Sequence, residues 1–522
     1  MNIAQGLAHT QKVFGTREAV VCGNTRYTWH DFDQRTDALA RGLAALGVQR
    51  GDRVAVLMLN CHRYFELYYA CARMGAVIVP LNIRLARPEI VFILNDSEAK
   101  ILIVDKTFAP YATGRDTYPL VTHIVYSGGD ETPAGMINYE DVVSRGTSMQ
   151  ESVDQEMEDD DLAGLFYTGG TTGRAKGVML SHKNIVSNAI NAIIALNYTD
   201  RDVYLHCAPM FHLADTGSTF ALTMLGARHA FNPMFNPVQV LQTIQAEKIT
   251  VILLVPTMVN AVLNHPDVDK YDLSSIRRIV YGASPMPIEL LKQGLQKWGQ
   301  IFTQGYGMTE TSPLLTVLNP LDHISDGTPE QVHRLVSCGK EILGVEVRVV
   351  DAEGEDVQPG EIGEIIARGP NIMLGYWRMP EATSSAIYDG WMYTGDLATI
   401  DEENYIYIVD RAKDMIISGG ENIYSVEVEN ALYTHPAILE AAVIGIPHET
   451  WGEAVHAVVV CKPGMSVSAE DLITHARMQI AGYKVPHSIE FYPEALPKSG
   501  AGKILKRDLR EKYWAGKSRQ VN

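Results

Sequence analysis

Between residues 19 and 104 the chain switches repeatedly between strand-like and helical hydrophobic spacing, and this alternation constrains the fold more than any other feature. Ala19-Val20-Val21-Cys22, the pair Gly23-Asn24 and Arg26-Tyr27-Thr28 read as a hairpin with a tight turn. Thr28 with Asp31 makes a loose capping box, and Phe32, Leu39, Ala40 and Leu43 follow at helical spacing. A buried strand is expected over Arg53–Met58, an amphipathic helix over His62–Met74 and a strand over Ala76–Pro80. A helix over Arg87–Asn95 and a strand over Lys100–Val104 follow. Strands separated by helices are joined by crossovers, so the fold class expected is α/β, with parallel layers.

Residues 127–161 are looser. Ser127-Gly128-Gly129-Asp130 and the acidic run Glu151, Asp154, Glu156, Glu158, Asp159, Asp160, Asp161 read as a solvated surface connection. Alternation resumes through 162–320. From 335 to 409 the pattern changes to short β-rich runs, Val345–Val350, Gly363–Arg368 and Tyr405–Val409, which predict a β-barrel-like or antiparallel subdomain within a large unit spanning 1–409. After Asp410 comes a small α+β unit, 410–522, with helices expected over 425–433 and 469–479 and strands over 439–446 and 454–461.

A chain of 522 residues can bury a sizeable core without disulfide or metal staples. Its 44 lysines and arginines against 62 aspartates and glutamates give a net charge of −18, which argues against a nucleic-acid or anionic-membrane partner. A small anion is not excluded, because it needs only a locally positive or backbone-lined pocket. The six cysteines (Cys22, Cys61, Cys71, Cys207, Cys338, Cys461) show no metal-ligand spacing and read as reduced thiols. Met1–Phe14 has no secretory pattern, Ile249–Val259 is too short and interrupted to span a bilayer, and the ending Arg519-Gln520-Val521-Asn522 is neither a peroxisomal address nor a prenylation box. A cytoplasmic protein is expected.

The segment richest in chemistry is Tyr167-Thr168-Gly169-Gly170-Thr171-Thr172-Gly173-Arg174-Ala175-Lys176-Gly177. Its glycines let backbone approach a polyanion, Thr168, Thr171 and Thr172 add hydroxyls, and Lys176 adds a point charge. It is not a Walker A loop, since Lys176 lacks the Gly-Lys-Ser/Thr context. The segment resembles the phosphate loop of the adenylate-forming superfamily, which includes acyl-CoA synthetases, peptide-synthetase adenylation domains and luciferases. Two positions depart from the commonest pattern: Gly169 stands where serine is usual and Ala175 where proline is usual.

The resemblance continues along nearly the whole chain. Gln304-Gly305-Tyr306-Gly307-Met308-Thr309-Glu310-Thr311 is similar to the family's second signature. It implies that Tyr306 flanks adenine, Thr309 meets the α-phosphate and Glu310 helps hold Mg2+. Gly282-Ala283-Ser284 resembles the border between nucleotide and acyl group. Asp396 in Tyr393-Thr394-Gly395-Asp396-Leu397 matches the acidic residue that accepts from both ribose hydroxyls, and Asp410-Arg411 resembles a hinge pivot followed by a ribose or phosphate contact. Ser418-Gly419-Gly420-Glu421 resembles the loop that closes over the pantetheine arm of coenzyme A once the small unit rotates as a mobile lid. Lys503, in Pro497-Lys498-Ser499-Gly500-Ala501-Gly502-Lys503, matches the catalytic lysine, and Lys484 resembles a contact to the coenzyme A nucleotide.

The activity implied is ATP-dependent ligation of a carboxylic acid to coenzyme A through an acyl-adenylate, releasing AMP and pyrophosphate. His212 is grouped with Lys503, Thr309 and Glu310 as a candidate catalytic residue and is read as a wall or gate of the acyl pocket. It stands where amino-acid-activating relatives carry an aspartate, which disfavours an amino acid, although Asp215 lies nearby. Small residues at Gly217, Gly282, Ala283 and Ser284 are expected to leave room for more than acetate. A medium- or long-chain fatty acid is the first reading of the substrate and an aryl or phenylpropenoid acid the second. A carrier-protein-loading enzyme shares these motifs, whereas a P-loop kinase would release ADP and a non-catalytic nucleotide sensor would not need Lys503 or Glu310. Homodimers are common among relatives.

Overall fold

The computed structural model describes residues 1–129, 131–168, 175–500 and 502–515. The alternation places its strands in two large sheets. One has eight strands, with Val77–Pro80, Arg53–Leu57, Ala99–Val104, His123–Tyr126 and Ile137–Asn138 running parallel side by side, and Leu162–Thr168, Lys176–Ser181 and Gly375–Tyr376 completing the other edge. The other has nine strands, whose centre (Phe302–Tyr306, Arg278–Gly282, Val251–Leu253, Val203–His206, Arg228–Phe231, Glu18–Cys22) is parallel and whose edges are antiparallel.

The opening hairpin forms as expected, Glu18–Cys22 pairing antiparallel with Thr25–Thr28. Thr28 then caps the helix Trp29–Ala45, its hydroxyl accepting from Asp31 N–H while the Asp31 carboxylate accepts from Thr28 N–H. Such a cap is worth about 1 kcal/mol. The helix His62–Met74 has the expected bounds and a polar stripe of Arg63, Glu66 and Arg73, yet it is buried on nearly all sides. Tyr64, Phe65, Leu67, Tyr68 and Tyr69 are all buried, in one core shared by residues of both sheets such as Val54 and Phe231, so it has neighbours on nearly every side. Its one buried acid, Glu66, accepts from Arg35 Nε at 2.7 Å and from the Tyr139 hydroxyl at 2.8 Å.

The stretch 127–161 is not all loop. Asn138 caps a helix, Tyr139–Thr147, that packs on Trp29–Ala45. Gly42 and Gly146 permit the approach: a Cβ on Gly42 would lie 2.1 Å from the Val142 carbonyl oxygen, and one on Gly146 would lie 1.8 Å from that of Ala38. The acidic run is exposed except at the half-buried Asp161 and is tied down, Asp154 to Arg73 (3.6 Å) and Asp161 to Arg50 (2.6 Å).

The β-rich part is a five-stranded antiparallel sheet containing Glu346–Val350, Gly363–Arg368, Trp391–Ile400, Ile387–Tyr388 and Ile406–Arg411. The smaller C-terminal domain holds a second five-stranded sheet, centred on the long pair Ile438–His448 and Gly452–Cys461, with apolar clusters on both faces and the helices Ser425–Tyr433 and Ala469–Arg477. No described helix is long and apolar enough to cross a membrane. All six cysteines are free.

Candidate active site

Loops that follow the carboxyl ends of the parallel strands carry most of the expected site residues, which is where open α/β sheets present ligand contacts. Phe302–Tyr306 and Arg278–Gly282 lie side by side, with Gly282 opposite Gly305. A Cβ on Gly282 would stand 2.2 Å from the Gly305 carbonyl oxygen, so glycine is required for the two strands to approach. Ala283 follows in the left-handed region at φ 65°, a conformation that costs a non-glycine residue about 1–3 kcal/mol and clusters at functional sites. Gly307, at φ 156°, lies against the Pro313 carbonyl. Gln304 accepts from the Tyr281 hydroxyl at 3.3 Å, while Met308 and Thr309 lead into a short helical turn, Thr309–Thr311, that fixes the buried Glu310.

Four of the expected residues form one charged cluster. The Tyr306 hydroxyl donates to Asp396 Oδ2 at 2.8 Å, and Arg411 Nε lies 3.1 Å from Asp396 Oδ1. Asp396 and Arg411 face each other as register partners on antiparallel strands, which sets their pairing. Lys503 enters the same field from the small domain. Burial first, and then the Arg411 guanidinium, push its ammonium down to about 8, against the pull of Asp396 and Glu310. Among the described residues no carboxylate lies within ion-pair distance of it. The neighbouring His212 is pushed down to about 4 by burial and by Lys503, so its imidazole is neutral at pH 7; its Nδ1 accepts from Ala214 N–H at 3.2 Å and caps the helix Leu213–Met224.

Glu310 has a partner that no local sequence pattern announces. The Tyr376 hydroxyl donates to Glu310 Oε1 at 2.9 Å, and Lys176 Nζ sits 4.7 Å from the centre of the Tyr376 ring. Tyr376 reaches this place through a two-residue strand paired to Lys176–Ser181, with Tyr376 opposite Val178. Thr168 and Lys176 are register partners at the end of the pair Leu162–Thr168 and Lys176–Ser181. Gly169, Gly170, Thr171, Thr172 and Gly173 lie outside the described residues. Among the described residues no group of three or more histidines, cysteines, aspartates and glutamates could hold a metal by itself.

A narrow pocket lies beside His212, lined also by Ala208, Pro209, Leu253, Val255 and Ala283. Asp215 borders it but does not offer an amine anchor: Oδ1 accepts from the Tyr204 hydroxyl at 3.0 Å and Oδ2 faces His206 Nδ1 at 2.7 Å. Two expected space-makers are corrected. The room beside Gly217 is filled by Pro313, whose Cδ would be 2.9 Å from a Cβ there, and that beside Gly282 by the Gly305 carbonyl.

The turn Ser418–Glu421 is not brought into the charged cluster. Gly419 (φ 60°) and Gly420 (φ 87°) form an exposed hairpin turn, held by a bond from Gly419 N–H to the Trp451 carbonyl at 2.9 Å. Lys484 pairs with Glu427 at 2.8 Å. Asp410 is buried and accepts from the Ser425 hydroxyl at 2.8 Å and from Arg411 N–H at 2.7 Å, anchoring the start of the small domain.

The AMP-binding enzyme model matches residues 7–377, and the model of the AMP-binding enzyme C-terminal domain matches residues 427–503. The chain belongs to the AMP-binding enzyme family. Feruloyl-CoA synthase of an Amycolatopsis species is 41% identical over 500 residues, covering 95% of this AMP-binding enzyme and 96% of that protein. The fatty acid–[acyl-carrier-protein] ligase ScoC of Streptomyces coeruleorubidus is 35% identical, covering 97% and 95%. Among solved structures, ATP-bound MatB from Rhodopseudomonas palustris aligns with a TM-score of 0.88 at 31% identity, covering 99% of this enzyme and 100% of that chain.

Proposed function

We propose that this AMP-binding enzyme is an AMP-forming acid–thiol ligase that activates a carboxylic acid with ATP and passes the acyl group to coenzyme A. The observation that carries the reading is the convergence of Lys503, Arg411, Asp396, Tyr306 and Glu310 at one place, with the pocket of His212 beside it. Adenine and ribose would meet Tyr306 and Asp396, and the triphosphate would meet Thr168, Lys176, Thr309 and the glycine-threonine segment. Lys503, poised among these groups, would offset charge as the carboxylate attacks the α-phosphate. A single buried carboxylate suits a Mg2+ held mainly by phosphates and water, so Glu310 would hold that cation, which when bound offsets phosphate charge.

The second half is transfer of the acyl group from AMP to the thiol. The exposed glycine turn at 419–420 would reach the pantetheine arm only after the small domain rotates about Asp410, which makes 1–409 and 410–522 the moving units. The fatty-acid reading draws on the likeness to ScoC. A second reading, an aryl acid, draws on the likeness to feruloyl-CoA synthase.

The test is AMP release from ATP across a panel of fatty, aryl and amino acids, with coenzyme A or an acyl-carrier protein as thiol. Coenzyme-A-dependent AMP and pyrophosphate formation is expected. ADP formation, or dependence on the carrier protein alone, would contradict the reading.

A further inference from the structure

Lys503 belongs to the small domain, yet it acts among groups of the large one, so something must hold its loop in register. That loop is a tight hairpin. Ser499 N–H donates to the Lys503 carbonyl at 2.7 Å, Lys503 N–H donates to Ser499 Oγ at 3.2 Å, and Lys498 pairs with Ile504. Its described tip residues seat against two loops of the large domain that come from different sheets. On one side is the turn after the strand Val77–Pro80. Arg84 donates to the Ser499 carbonyl at 2.9 Å, and the Asn82 side chain covers Gly500. On the other side are Val255 and Thr257, after the strand Val251–Leu253, which stand 3.0 and 3.4 Å from where a Cβ on Gly502 would lie.

Gly500 has no conformational need to be glycine, for its φ is not positive, and yet it is buried. A Cβ there would come 2.4 Å from Asn82 Oδ1 and 2.7 Å from Cγ, too close for any real contact. Asn82 cannot swing aside freely, because its Oδ1 accepts from Arg84 N–H at 3.0 Å and so shapes the turn that presents Arg84. The missing side chain at 500 and the bonded side chain at 82 are complementary.

We propose that Asn82 and Arg84 form a catch in which the bare backbone of Gly500 is seated, and that this catch positions Lys503 for adenylate formation and releases it for thioester formation. This rests on the ligase reading above. Arg84 is exposed, so its single bond to Ser499 is a modest contributor; the steric fit at Gly500 sets the position. Asn82, Arg84 and Gly500 are positioning residues, since none is argued to touch the reacting atoms.

The experiment separates the half-reactions. Adenylation is read as acid-dependent ATP–pyrophosphate exchange, and transfer as thioester formation from synthetic acyl-adenylate and coenzyme A. Gly500→Ala is expected to slow exchange at least about tenfold while transfer stays within about twofold, as for loss of a contact worth about 1.4 kcal/mol or more in one state only. Asn82→Ala in the Gly500→Ala background opens the space but loosens the turn that presents Arg84, and is expected to restore part of the exchange. Arg84→Ala should slow exchange a few-fold, with Arg84→Lys recovering part.

Equal loss of both half-reactions in Gly500→Ala, or no recovery on adding Asn82→Ala, would overturn the catch. A wild-type enzyme without exchange for any acid would instead defeat the ligase reading. Circular dichroism and thermal melting of each variant keep misfolding apart from both outcomes, and Arg84→Ala tests the catch with an exposed substitution that does not threaten folding.

Discussion

Two charged assemblies, one within the large domain and one where Lys503 of the small domain meets it, are built from similar parts and bonded in different ways. In the first, the buried Glu66 is bonded by Arg35 and Tyr139, and Glu140 adds a carboxylate to Arg35 at 3.1 Å and to Arg63 at 2.8 Å. Cations and anions answer each other across three helices, and the result is a staple. In the second, Asp396 answers Arg411, but Lys503 is brought beside the same guanidinium with no described carboxylate at ion-pair range. Asp396 and Glu310 offset the two cations in number, but neither is at ion-pair distance from Lys503, which suits an ammonium that meets an anionic substrate. A network whose charges all bond one another holds helices together, whereas a buried cation outside such bonds is a candidate for chemistry.

Loss of a group at the second cluster should produce the largest effect. Glu310→Gln is expected to lower the rate of adenylate formation by about 10²–10³, in line with removal of a group that acts on developing charge, with an unchanged melting profile. Pyrophosphate exchange beside calorimetry checks both halves of that statement; normal exchange would place Glu310 with the staple.

The sharpest contrast is one of sign in stability. Arg35→Met leaves Glu66 buried without its cation and should cost about 3–5 kcal/mol, measured by denaturant unfolding, with activity per folded molecule unchanged. Lys503→Met should do the reverse. Its ammonium is held near 8 in the fold, below the ordinary lysine value, so charging it costs stability at all pH below 8. The unfolded chain binds the proton more tightly across the window from about 8 to about 10.4, so wild-type stability rises with pH there. The variant should therefore melt above wild type at pH 7, with the advantage fading as pH approaches about 10.

A smaller effect follows from the same group. If the ammonium form of Lys503 serves adenylation, kcat/KM for exchange should fall as pH rises through about 8, by up to about tenfold per unit. His212, neutral above about 4, should add no inflection near neutrality. A profile with a bell centred on pH 6–7 would assign it an acid–base role instead.

The architecture was legible in the sequence wherever short-range rules dominate. The helices His62–Met74 and Ser425–Tyr433 fall at the expected bounds because residue spacing marks them, with Gly75 in the left-handed region ending the first, although neither has a side-chain N-cap. The helix Tyr139–Thr147 escaped, because it is short and polar and is stabilised by the glycine contacts to Trp29–Ala45, which no local pattern encodes. Within the site, Asp396 and Arg411 could be matched by motif, but their direct pairing is a consequence of strand register. Tyr376 left no signal at all, since its strand has two residues and its partners lie near 178 and 310. The amine-anchor question at Asp215 needed tertiary structure, because the groups that occupy its oxygens are Tyr204 and His206 on a different element. The seat of Gly500 in the turn at Asn82 was invisible for the same reason.

The central claim is that Lys503 serves one half of a two-step ligation. The direct measurement compares wild type and Lys503→Ala in ATP–pyrophosphate exchange and in thioester formation from preformed acyl-adenylate. Exchange should be lost while transfer to coenzyme A continues at close to the wild-type rate; an equal loss of both steps, or exchange that survives the substitution, would contradict the account.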